Sequence, residues 1–154
     1  MEAFSPVMSG APDKWDPQTR EAADHSMPYS VAIALRYGPP QAYHYFPEYF
    51  RDPTTLELMQ KITVEVTEEA RTAFPEAWLN VVEVVTKSGV RYKERVSHHK
   101  GHYKNPMTDE EVEAKFRSQA QGLLGDHQMQ RLLDRLWNLE QVDDIGEVMD
   151  LLKV

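Results

Sequence analysis

A continuous run of apolar residues, Val31 to Leu35, follows a polar, histidine-bearing stretch near the start of the chain. Because no side of such a run is suited to face water, we predict a buried helix there. Both Asp24 and Ser26 are good N-cap residues, and Pro28 is tolerated only in the first turn of a helix. Gly38 and the two prolines that follow it predict where the helix ends.

The middle of the chain changes from a helical to an alternating pattern. Aromatic residues between 43 and 50 are assigned to core packing rather than to ligand stacking, and Asp52 is predicted to cap a short helix. Residues 62–66 alternate apolar and polar side chains, as a half-buried strand does. Residues 79–86 are rich in β-branched residues, which predicts an inner strand. A Ser-Gly pair then favours a tight turn, so that residues 90–96 complete a hairpin.

The last third of the chain has the period of amphipathic helices. Thr108 and Glu111 have the spacing of a capping box, which predicts a helix start, and Asp126 is predicted to cap the next helix. The apolar residues of these last helices are many for a chain with a small sheet; they include Leu132, Leu133, Leu136, Trp137 and Leu139. We therefore favour contact of this apolar face with another chain over closure onto the sheet.

The order of helix, strand, hairpin and helices predicts an α+β fold. We expect a mainly antiparallel sheet packed with helices in two layers, followed by C-terminal helices. We divide the chain into an irregular entry segment (1–14), a small α+β domain (15–123) and a C-terminal helical segment (124–154). Helices do not alternate with single strands, which argues against a doubly wound parallel sheet.

Composition excludes several classes of function. The net charge of −8 argues against nucleic acid as a partner, because a phosphate backbone requires clustered lysine and arginine. No apolar run approaches the ~18 residues of a membrane span, and no signal peptide is visible, so we expect a cytoplasmic protein. The absence of cysteine excludes disulfides, thiolate catalysis and thiolate metal ligands.

His25 is the first candidate for chemistry. It stands near the start of the first long helix, where backbone N–H groups lack partners, the dipole is positive and anions are favoured. A neutral imidazole there can hold a carboxylate or move a proton near neutral pH. The alternative is a ring that only hydrogen-bonds to a neighbouring loop. Asp24 either orients this ring or caps the helix.

A histidine-rich loop is the second candidate. His98, His99 and His102 suggest a metal site, but adjacent histidines in an extended segment point in opposite directions, and the loop contains no acidic residue to complete a ligand set. We therefore predict no bound metal. Together with Lys100 and Lys104, the loop is locally basic, and it either attracts a carboxylate or phosphate or is simply solvated.

Two blocks of sequence carry a resemblance to a known family. Residues 15–35 read WDPQTREAADHSMPYSVAIAL, and residues 87–120 read KSGVRYKERVSHHKGHYKNPMTDEEVEAKFRSQA. The first resembles the segment that opens the second half of MmgE/PrpD proteins, and the second resembles their later hairpin, loop and helix. DPTTLELMQKITVEV, between them, has suitable spacing.

The resemblance implies cofactor-independent chemistry on small di- or tricarboxylates, in which a proton is removed beside a carboxylate. The family includes 2-methylcitrate dehydratase, cis-aconitate decarboxylase and epimerases, so dehydration, decarboxylation and epimerisation are all implied. His25 matches a histidine that lies at the family's cleft and is the candidate catalytic residue. Asp24, Ser26, Lys100 and His102 are the candidate substrate-binding residues.

In this family a large helical domain precedes the small α+β domain, and the active site lies between them. We therefore expect that this chain needs a separate helical-domain subunit, or a homo-oligomer, and that it is inactive alone, because one histidine cannot both hold two carboxylates and run an elimination. The alternative is a non-catalytic oligomerising or binding module derived from the same family.

Overall fold

The computed structural model describes residues 11–153, which divide into two compact units. We call them the N-terminal unit, which ends at Ser97, and the C-terminal unit, which begins at His98. Most of the predicted entry segment, residues 1–10, lies outside the described residues. Its last part contains a short 3-10 helix, Pro12–Lys14.

The elements of the N-terminal unit are α1 (Arg20–Asp24), α2 (Met27–Tyr37), α3 (Pro47–Phe50), α4 (Pro53–Met59), α5 (Glu68–Ala73), β1 (Asn80–Val85) and β2 (Arg91–Val96), with a second 3-10 helix at Ala42–Tyr45. Those of the C-terminal unit are α6 (Asp109–Ala120), α7 (Asp126–Leu136) and α8 (Gly146–Asp150), with a 3-10 helix at Leu139–Gln141. Helices and an antiparallel strand pair occupy separate stretches, which confirms the predicted α+β class.

Helix α2 begins and ends where the sequence predicts. The Ser26 hydroxyl accepts the backbone N–H of Tyr29 as an N-cap, and Gly38 ends the helix with a φ of +83°, a conformation that favours glycine. The prediction that the helix is buried all round is wrong, because Leu35 is 49% exposed. The core lies on one side of α2, where Ile33 packs with Met59 of α4.

A polar cluster joins the last turn of α2 to the start of α4. Asp52 caps α4 by accepting the backbone N–H of Thr55 at 2.8 Å, as predicted. The Arg36 guanidinium donates hydrogen bonds to the Asp52 carboxylate and to the Thr55 hydroxyl. The backbone N–H of Thr55, first, and the Arg36 side chain lower the pKa of Asp52.

The strand predictions are only partly confirmed. Strands β1 and β2 form the predicted antiparallel hairpin, in register from Asn80 opposite Val96 to Val85 opposite Arg91. However, β1 is largely exposed rather than an inner strand, because within the described residues its sheet has only two strands. Residues 62–66 form no strand, although Ile62 and Val64 are half-buried as alternation predicts. Alternation indicates which side chains are buried but supplies no neighbouring strand.

The aromatic segment 43–50 contributes only partly to the core. Phe50 is buried there, whereas Tyr43 and Phe46 are largely exposed. The buried polar residue of this segment is His44, which is 3% exposed and lies against the rings of Tyr37, Tyr43 and Tyr49. Its Nδ1 accepts the backbone N–H of Gln41 at 2.9 Å, so the neutral ring carries its proton on Nε2.

The C-terminal unit has its own small core. The predicted capping box is confirmed, because Thr108 N–H donates to Glu111 Oε2 at 2.8 Å and Glu111 N–H donates to Thr108 Oγ1 at 3.3 Å. The N-cap of α7 is Gly125 rather than Asp126, which is the first helical residue. Its core cluster consists of the buried residues Leu132, Val148 and Leu151, packed by Phe116, Leu124 and Val142.

We expect His44 to make the folded chain sensitive to acid. Burial lowers the pKa of His44, so its folded pKa lies below the unfolded value of about 6.5. The stabilisation is therefore fully present above about pH 6.5 and is lost as the pH falls through the folded pKa. Urea unfolding at about pH 7.5 and 5.5 should show a smaller loss of stability for His44→Gln than for the unchanged chain. His127→Gln, at an exposed histidine, is the control; an equal acid loss in all three proteins would contradict the expectation.

Candidate functional site

His25 lies between α1 and α2, one residue before the N-cap Ser26. Its side chain is 59% exposed. The ring Nδ1 is 3.0 Å from the backbone carbonyl oxygen of Glu21. Because a carbonyl oxygen can only accept a hydrogen bond, Nδ1 must carry the proton. A neutral His25 therefore has a free lone pair on Nε2, which can accept a proton.

Asp24 is the last residue of α1 and does not cap α2. Its carboxylate oxygen Oδ2 is 3.9 Å from Nδ1 of His25, and both side chains are exposed. At this distance the carboxylate acts on the ring through its charge, since the Nδ1 proton is directed to the Glu21 carbonyl.

Ser26 is completely buried. Its hydroxyl donates to the backbone carbonyl of Lys14 and accepts the backbone N–H of Tyr29 at 3.1 Å. The Ser26 side chain therefore caps α2 and also hydrogen-bonds to Lys14, in the segment before α1. The backbone N–H of Tyr29 is hydrogen-bonded to the Ser26 cap, and Pro28 has no N–H. The start of α2 therefore has fewer free backbone donors for an anion than an uncapped helix start has.

Tyr45 is a neighbour of this region that sequence reasoning assigned only to packing. It lies at the end of the 3-10 helix Ala42–Tyr45, which packs against α1. Burial raises the pKa of its phenol, and the negative charge of Asp24 raises it further. The phenol thus stays protonated near neutral pH and is a hydrogen-bond donor. No local pattern distinguishes Tyr45 from its aromatic neighbours, so only the fold identifies it.

Lys100 belongs to the C-terminal unit and forms an ion pair there. Its Nζ lies 2.8 Å from Oε2 of Glu111, the acidic residue of the capping box. The Lys100 side chain is the largest cause of the lowered pKa of Glu111. The charge that balances this lysine therefore comes from α6 rather than from its own loop.

His102 is the centre of a cluster of imidazole rings. The His98 ring stacks on it with centroids 4.7 Å apart and planes 10° apart, and the His99 ring meets it edge-on at 5.6 Å. Nδ1 of His102 accepts the backbone N–H of Lys104 at 3.1 Å. Burial, first, and then the charges of His98, His99 and Lys104 lower the pKa of His102. The sequence predicts that the adjacent rings of His98 and His99 point in opposite directions. In the structure both rings contact His102.

Residues 11–153 contain neither a metal-binding cluster nor a membrane-spanning helix. No group of three histidine, aspartate or glutamate side chains in this part of the chain is arranged to hold a metal ion. In the same residues, none of the helices has the length and apolar character needed to cross a membrane. The candidate residues therefore fall into two sets, one around His25 in the N-terminal unit and one around His102 in the C-terminal unit.

Comparison with known proteins gives a consistent result. A family profile described as the MmgE/PrpD C-terminal domain matches residues 4–139. The human cis-aconitate decarboxylase is 26% identical over 137 residues, and the mouse cis-aconitate decarboxylase is 24% identical over 137 residues. Each alignment covers 89% of this chain and 28% of the relative. The chain thus spans little more than a quarter of the length of these relatives.

We expect Ser26→Ala to destabilise the chain by about 1–2 kcal/mol, because it removes the N-cap of α2 and leaves the Lys14 carbonyl without its donor. Urea unfolding measures the change. Ser118→Ala is the matched control, since its exposed hydroxyl bonds only to the Lys115 carbonyl within α6, and its effect should stay within about 0.5 kcal/mol. A Ser26→Ala variant as stable as the unchanged chain would contradict this role.

Proposed function

The chain belongs to the MmgE/PrpD family, and from this premise we propose that it is the small-domain part of a lyase or isomerase that acts on small di- or tricarboxylates. The reaction class is dehydration, decarboxylation or epimerisation, begun by removal of a proton next to a carboxylate. The whole activity requires a helical domain or subunit in addition to this chain.

The observation that carries the proposal is the hydrogen bond between His25 Nδ1 and the Glu21 carbonyl, 3.0 Å long. It directs the lone pair of the neutral ring to Nε2, as a general base requires. The ring is also exposed, so a substrate proton can reach it. The carboxylate of Asp24 lies 3.9 Å from Nδ1.

The need for further groups follows from the chemistry. A substrate with two or three carboxylates requires several convergent cations or N–H donors, together with the base. Around His25, the Ser26 hydroxyl is buried and the nearest charged neighbour, Asp24, is an anion. The chain corresponds to 28% of the length of the cis-aconitate decarboxylases. We therefore propose that a helical-domain subunit supplies the remaining groups.

The test is reconstitution with a helical-domain protein encoded by a neighbouring gene. Cis-aconitate is the first substrate to assay, because the two relatives are cis-aconitate decarboxylases, and CO2 release is the readout; 2-methylcitrate dehydration is the second. His25→Gln keeps a hydrogen-bonding side chain but has no basic nitrogen, so activity should fall by about 100-fold or more.

His127→Gln is the control for that experiment, because His127 lies on α7 in an exposed position. It should retain the activity of the unchanged complex. Full activity of the His25→Gln complex would remove His25 from the mechanism, and the absence of any lyase or epimerase activity in the mixture would argue against the proposed function itself.

A second candidate function is a non-catalytic oligomerising or binding module. It is favoured by the exposed apolar residues of the C-terminal unit, which include Leu136, Trp137, Leu139, Ile145, Met149 and Leu152. A small soluble monomer seldom exposes so many large apolar side chains together.

Light scattering of the chain alone, and of its mixture with the helical-domain protein, separates the two candidates. A stable homodimer that binds no carboxylate favours the module, whereas a chain that associates only with the helical-domain protein favours the enzyme part. A compact monomer that binds neither carboxylate nor helical protein would contradict both. Leu136→Glu on α7 should weaken any self-association, and His127→Glu, at an exposed position on the same helix, is the matched charge control.

A further inference from the structure

The hydrogen bonds of the histidine loop fix the tautomer of His102. The backbone N–H of Lys104 donates to Nδ1 of His102 at 3.1 Å. Because that nitrogen must present a lone pair, the neutral ring carries its proton on Nε2. The ring therefore has an N–H donor without any added proton, which is the reverse of the arrangement at His25.

The loop that holds this ring is internally bonded. Gly101 N–H donates to the Asn105 carbonyl at 2.9 Å, and Asn105 N–H donates to the His102 carbonyl at 2.8 Å. The Asn105 side chain donates to the His98 carbonyl at 2.9 Å. Gly101 has a φ of +92°, which only glycine adopts without strain. These bonds fix the ring before any ligand arrives, which reduces the entropic cost of binding.

The groups around His102 disfavour a positive charge on it. The centroid of the His98 ring lies 4.7 Å from that of His102, and the centroid of the His99 ring lies 5.6 Å from it. If two of these rings were protonated, their positive charges would repel each other at short range. Lys104 adds a positive charge from the same loop. The Glu111 carboxylate of α6 is paired with Lys100 of this loop.

From these contacts we propose that His102 binds a carboxylate group through Nε2–H of its neutral ring, beside the positive charge of Lys104. The identity of the ligand rests on the proposed function, which supplies a di- or tricarboxylate. The backbone hydrogen bonds thus give the two histidines different neutral forms: His25 has its lone pair on Nε2, and His102 has its N–H on Nε2. Because the neutral His102 ring is the hydrogen-bond donor, the affinity for the carboxylate does not depend on protonation of the ring. This independence can be measured.

Long-range proton–nitrogen correlation spectra of the free chain, labelled with ¹⁵N in histidine, test the tautomers directly. His102 should show a protonated Nε2 and His25 a protonated Nδ1 at about pH 7.5. A protonated Nδ1 in His102, or rapid averaging of its two tautomers, would overturn the proposal. This measurement needs neither a partner nor turnover, so its result is independent of whether the proposed function holds.

Titration of the chain with succinate, followed by the same histidine signals, tests the binding. A neutral donor predicts less than about a twofold change in dissociation constant between pH 7 and pH 8, whereas binding by an imidazolium of ordinary pKa, about 6.5, predicts a loss of about eightfold. Either an eightfold loss or no binding of succinate at all would overturn the proposal.

Two variants at His102 complete the experiment. His102→Gln keeps an N–H donor and should retain measurable succinate binding, while His102→Ala should lose it; His127→Ala is the control and should bind as the unchanged chain does. If His102→Ala binds succinate normally, the proposal is overturned even if the reconstituted enzyme is active. If binding follows the prediction but the reconstituted mixture is inactive, the proposed function fails and the carboxylate site stands.

Discussion

The buried hydroxyl of Ser26 is the contact on which the geometry of the N-terminal unit depends. It caps α2 through Tyr29 N–H and holds the Lys14 carbonyl, so one oxygen joins the start of the core helix to the segment before α1. His25 is the residue immediately before it, and its exposed position follows from this anchor. Ser26, a candidate substrate-binding residue, thus has its hydroxyl bonded within the fold.

Backbone groups set the chemistry of both site histidines. A carbonyl oxygen can only accept and an N–H group can only donate, so each fixes which ring nitrogen of its histidine carries the proton. The Glu21 carbonyl leaves the lone pair of neutral His25 on Nε2, and Lys104 N–H leaves the proton of neutral His102 on Nε2. His44, whose Nδ1 accepts Gln41 N–H, shows the same control inside the core.

Both units expose apolar side chains that their own cores do not cover. In the hairpin, Val82, Tyr92 and Val96 lie on one face of a two-stranded sheet and are exposed. A hairpin of two strands is only marginally stable alone. In the C-terminal unit the apolar residues of α7 and α8 extend beyond the small core around Leu132. The exposed residues of the C-terminal unit are the physical reason for the second proposed function, an oligomerising or binding module.

The elements that could be predicted from the sequence are those that depend on contacts between residues close together along the chain. The capping box of Thr108 and Glu111, the Asp52 cap and the glycine end of α2 follow local patterns, because their hydrogen bonds join residues three or four positions apart. The hairpin also follows a local pattern, because a short turn joins its two strands. The resemblance to the family could also be read from two local blocks.

Which side chains are buried, which segments pair as strands and which charged groups form ion pairs follow from the tertiary structure. It left Leu35 exposed, placed His44 in the core and left residues 62–66 without a neighbouring strand. It also gave Lys100 an acidic partner from α6. Burial and pairing depend on elements that are distant along the chain, and no pattern within one segment specifies which element will pack against it.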